Sequence, residues 1–219
     1  FIALGAVHYL AAAGEEEALA MARLVVRNGL ARQAADVYDS LEGLQNAADG
    51  AALDAAAKHA VNVSRSAAFR ETMSVLSALA FVKDKSFQRE VQALAGPVES
   101  ARASLSKEVL ERYRGRCVKL AVKPGDLASS GAEKALKGTV PVRAADFVCP
   151  LETEYLVEKL GASVLQDLKL RGDADYEALN FVDGKRSLHD IFLAVSAECG
   201  PIDPADIAKF FNVLERAGL

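Results

Sequence analysis

EEEALAMARLVVRNGLARQAADVYDSLEGLQNA, residues 15–47, decides the fold class. Its three opening glutamates sit where the partial positive charge of a helix N-terminus favours carboxylates. Val26, Leu30, Val37, Leu41 and Leu44 then recur at steps of four, seven, four and three, the spacing of one helical face. Such a stripe needs a partner, and the sequence downstream supplies two.

From about Asp49 to Val82 the pattern predicts a second long helix with Phe69, Met73, Leu76 and Ala80 on one face, separated from the first by the turn-prone "NAADG". A third apolar series, Phe87, Val91, Leu94, Val98, Leu105 and Val109, keeps helical spacing through Gly96-Pro97. Proline inside a helix removes a backbone hydrogen bond, so a bend or break is expected there. Three long segments with short connections suit an antiparallel helical bundle over residues 1–115.

Upstream, "FIALGAVHYLAAAG" imitates the last part of a secretory signal but has no basic leader. With His8 and Tyr9 among helix formers, it is expected to be a helix ended by Gly14. No run reaches the roughly 18–20 apolar residues of a membrane span. Phe1 opens within a pattern, and the expectation is a chain cut from something longer.

Residues 116–150, with "PGDLASSG" and "KGTVPVRAADFVCP", read as a connector rich in Gly, Pro and Ser. The remainder, 151–219, is expected to form a second module with short helices at about 151–160 and 162–170. Within it "YEALNFV" suggests a short strand, and Asp183-Gly184 is a turn signal. Ser187 three residues before Asp190 resembles a capping box, while Asp203 and Pro204 mark the start of a last helix. Leu188, Ile191, Phe192 and Val195 form one apolar face, and Ile207, Phe210, Phe211 and Leu214 another. Strand, turn, helix, turn, helix is the order of a winged-helix-like α/β module, so the fold class expected is mainly α, a long antiparallel helical bundle followed by that module.

Composition agrees with a globular helical protein: 51% of residues are apolar, enough for a core, while aromatics are 6% and tryptophan is absent, which suits close helix packing better than a sheet. The formal charge of −4 argues against nucleic acid on the whole surface. Over 173–219, nine acidic residues face four basic ones, a balance that repels a phosphate backbone. Lys185 and Arg186 at the turn are read as solvated, with an acidic partner as the other reading. Arg112, Arg114, Arg116 and Lys119 surround Tyr113 in "RYRGRCVK", at the end of the third helix. Cations there complement terminal carbonyls or serve docking, with an acidic surface or nucleic acid as alternatives.

Catalytic patterns are thin. Ser187, His189 and Asp190 are too close along a helix to meet as a triad. His8, His59 and His189 form no local ligand pair, "PGDLASSG" lacks the lysine of a phosphate loop, and Cys117, Cys149 and Cys199 are too scattered for a zinc site or a disulfide framework. The compartment stays open.

Three stretches, "VHYLAAAGEEEALAMARLVVRNGLARQA", "VPVRAADFVCPLETEYLVEKLG" and "NFVDGKRSLHDIFLAVSAECGPIDPADIAKFFNVLERAGL", together resemble the C-terminal region of bacterial zinc exopeptidases of the aminopeptidase type. That family's core is related to the peptidase-like domains of glutamate carboxypeptidase and transferrin receptor. The resemblance spans nearly the whole chain, and "FVDGKRS" followed by a helix and "GPID" is its best marker. It implies a two-zinc hydrolase whose His, Asp and Glu ligands and general base lie upstream. None of those motifs falls on this sequence, so no catalytic, cofactor or metal residue is assigned here and the chain alone is expected to be inactive. Phe1–Ala13 would be the last helix of the core. Two expectations follow: an accessory region that docks on the catalytic core of the same polypeptide, assists homodimer formation or narrows substrate access, or a free-standing helical adaptor that binds protein. Neither uses nucleic acid or a membrane.

Overall fold

A computed structural model describes residues 14–145, 151–170 and 172–219. The helix expected before Gly14, with His8, and the thiol of Cys149 lie outside the described residues. The described residues are mainly helical, and the chain divides into two compact units, Phe1–Asp126 and Leu127–Leu219.

The first unit contains α1 (Glu15–Asn46), α2 (Gly50–Leu76), α3 (Lys85–Ala93) and α4 (Gly96–Leu120). The α1 stripe is the core face: Val26, Val37, Leu41 and Leu44 are buried. Asp49 ends the turn between α1 and α2 by accepting from Ala52 N–H at 2.8 Å, an N-cap that satisfies one orphan amide. Gly96-Pro97 divides the third series, with Pro97 in the first turn of α4, where its missing N–H costs nothing.

Cross-helix bonds give the directions. Ser64 pairs with Ser106 at 3.0 Å and Tyr113 with Asp54 at 2.5 Å, so α2 and α4 run antiparallel. Gln33 donates to the Val98 carbonyl at 3.4 Å and Arg116 to the Ala47 carbonyl at 3.2 Å, so α1 and α4 run parallel. The bundle is up, down, up, with α3 as a short brace.

The apolar face expected on α2 is not its core face. Phe69 and Met73 are half exposed, whereas Leu53, Ala57, Ala60, Ala67, Ala68 and Val75 are buried. Small side chains let α1 and α4 approach closely, and that close approach selects the alanine face over the bulkier one.

Close approach also admits a buried carboxylate. Glu71 is 1% exposed and lies against Gly29 of α1, where an added Cβ would stand 2.6 Å from Oε2. Arg32 donates to both carboxylate oxygens, at 3.1 and 2.5 Å, and Arg70 to one of them at 3.1 Å. Arg70 also reaches Asp36 of α1 at 2.5 Å. Burial pushes the Glu71 pKa up, but the hydrogen bonds from Arg32 and Arg70 outweigh it and hold the carboxyl below its ordinary value.

In the second unit, α5 (Gly131–Ala135), α6 (Thr153–Leu160), α7 (Ala174–Asn180), α8 (Leu188–Cys199) and α9 (Pro204–Ala217) surround a core of Leu156, Val164, Ala178, Ile191, Ile207 and Phe210. Ser187 caps α8: its hydroxyl accepts from Asp190 N–H at 3.2 Å, and the Asp190 carboxylate accepts from Ser187 N–H at 3.0 Å. Asp203 caps α9 by accepting from Ala205 N–H at 2.8 Å.

The expected strand over 176–182 is a correction. Residues Ala174–Asn180 are helical because Ala174, Ala178 and Leu179 fall on one turn and enter the core, with Asp175 and Glu177 in the first turn. No strand occurs among the described residues, so the α/β winged-helix-like end expected from the sequence is not supported. The helix expected over 162–170 is only a 3-10 turn, Ala162–Gln166. Where a connector was expected over 116–150, α4 continues to Leu120 and residues from Leu127 onward belong to the second unit, which buries Leu136 in its core.

Candidate functional site: an apolar groove in the second unit

The residues singled out by charge do not converge. Arg112 is bonded to Glu108 at 3.0 and 2.7 Å and lies over the Tyr38 ring at 5.9 Å. Arg116 ties α4 to the end of α1 through the Ala47 carbonyl, and Arg114 is exposed. Tyr113 points the other way: it is buried, donates to Asp54 and accepts from Gly125 N–H at 2.7 Å, so it anchors the "PGD" loop. Burial first, then the bond to Asp54, pushes its phenol up to about 12. Arg112, Arg116 and Lys119 line a shallow cleft, but the two arginines serve packing.

At the 183–186 turn the Asp183 carboxylate accepts from Lys185 N–H at 2.9 Å and Arg186 N–H at 2.8 Å, and Gly184 takes φ 72°. Arg186 folds over the Phe181 ring at 5.2 Å, leaving Lys185 exposed. Both cations sit on a turn that starts a helix.

Ser187 and Asp190 are occupied by capping, as the helix spacing predicts. The structure instead places Ser129 Oγ 3.5 Å from Nε2 of the buried His189, a pairing 60 residues apart that sequence reasoning missed. Neither residue lines the groove described next. His59 and His189 belong to different units. Among the described residues, no group of three His, Cys, Asp or Glu side chains gathers as a metal site.

The second unit carries a groove of about 670 Å³. Its walls are α9, through Ala205, Ala208 and Phe211, and the segment 139–143, with Leu136 and Leu188 on the core side. Arg143 and Glu215, of opposite sign, are the charged side chains among the described lining residues.

Local sequence explains the wall. Pro141 fixes its own φ and biases Val140 to an extended conformation, continuing Thr139 at φ −115°, ψ 126°. Two bonds pin the segment: Leu188 N–H donates to the Thr139 carbonyl at 2.8 Å, and the Arg143 guanidinium donates to the Leu179 carbonyl. Between these pins Val140 is 47% and Val142 70% exposed. Among the described residues, none bonds the backbone groups of Val140, Pro141 or Val142. The alternation of valine around proline was the available sequence signal, hidden in a stretch read as connector.

Comparison with models of known families, with curated proteins and with solved structures finds no match to this chain.

Proposed function

We propose that this chain is the non-catalytic C-terminal accessory region of a zinc-dependent, aminopeptidase-type exopeptidase, serving docking, dimerisation or control of substrate access. The apolar groove of the second unit carries the docking part of this reading. It is lined mainly by apolar side chains, with Thr139, Asn212 and one charge of each sign but no paired acid and base, so it suits contact with protein better than chemistry. The peptidase part rests on the resemblance of the three sequence stretches. Zinc would belong to the catalytic core, and no step is assigned to residues of this chain.

A second reading, a helical protein-binding adaptor, uses the same groove without a peptidase core. The two separate in the natural host. With an antibody to this chain, the account expects a species well above 23.2 kDa that copurifies with zinc and releases N-terminal residues from peptides. A species of about 23.2 kDa without processing would leave the adaptor.

A further inference from the structure

We propose that the occupant of the groove is an extended, near-neutral polypeptide segment that pairs its main chain with the open edge Val140–Arg143 and places alternate apolar side chains against α9. This rests on the docking reading and names its partner class.

Three observations select that occupant. The edge follows extended Thr139, is biased to extended backbone by Pro141 and is pinned at both ends, so it loses little conformational freedom on binding. Among the described residues none bonds the backbone groups of Val140 or Val142, and residues two apart in an extended chain present their amides and carbonyls to the same side. An added strand satisfies them, whereas a helix, whose backbone groups are bonded internally, does not. Finally, Arg143 and Glu215 balance each other in the lining, which offers no net field to a phosphate or a strongly charged peptide. Pro141 lacks an N–H, so the opposite side of the segment is poorly suited to pairing, which restricts addition to one edge.

The test uses the full chain, labelled with nitrogen-15, and an acetylated, amidated hexapeptide alternating valine and threonine. A control peptide carries N-methyl groups on the residues that would pair. The expected result is saturable binding tighter than about 1 mM, with amide shifts at Val140, Val142 and Phe211, weakened at least about tenfold by N-methylation. Val142→Pro removes the amide and Ala205→Glu adds a charge at an exposed groove position; each weakens binding with the circular dichroism spectrum unchanged. Equal binding of both peptides, shifts confined to another surface, or no binding at about 1 mM would overturn the proposal. Binding of an apolar helical peptide in place of the extended one overturns the strand mode while leaving docking intact. A natural product of 23.2 kDa that arises without processing removes the peptidase reading without touching this one.

Discussion

Glu71→Ala lowers the stability of the first unit by about 2–3 kcal/mol in urea unfolding, and Gly29→Ala lowers it by a comparable amount. Breaking a fully buried pair costs about 3–5 kcal/mol. Here the Arg32 and Arg70 side chains are 52% and 42% exposed and regain water, so the loss is smaller. What remains is the cavity and the lost link between α1 and α2. Alanine at position 29 would gain about 1 kcal/mol in helix propensity. The Cβ would nonetheless stand 2.6 Å from Oε2 and 3.3 Å from Cβ of Glu71, forcing the carboxylate from its arginines. The pair also sets a pH signature. Because the folded pKa of Glu71 lies below its ordinary value of 4.5, its contribution is full above that pH and is lost as pH falls through the folded value. Glu71→Gln therefore differs most from the parent above about pH 4.5, and the two converge in acid.

Ile191→Ala has the larger effect on the second unit, about 2–5 kcal/mol. Ile191 is fully buried among Leu156, Val164, Ile207 and Phe210, so truncation removes transfer energy and leaves a cavity that only partial collapse can fill. Domains of this size hold only about 5–15 kcal/mol in all. Exchange of the α8 and α9 amides should accelerate together. Little change in their protection would show that this residue does not hold the module.

How much of this was legible depended on whether one residue's own neighbours carried the information. The α1 stripe, the break at Gly96-Pro97 and the Ser187–Asp190 cap are local, and each formed where its spacing placed it. The face of α2 was not local. Phe69 and Met73 look like core until α1 and α4 come close enough to prefer alanine. At 176–182, Phe181 and Val182 gave a strand-like tail to a segment whose Ala174 and Ala178 fit a helix against the core. The Glu71 cradle joins residues 39 apart with Arg32, and the groove joins residues near 140 to those near 211. Their chemistry exists only after packing, so composition and spacing showed Arg112, Arg114 and Arg116 instead, which serve helix contacts or face solvent.

If this chain is the docking element proposed above, its apolar edge is covered in the natural protein. Hydrogen exchange at Val140 and Val142, compared between the chain alone and the product isolated from its host, tests it directly. The account predicts fast exchange in the isolated chain and marked protection at both amides in the natural product. Equal, fast exchange in both would contradict it.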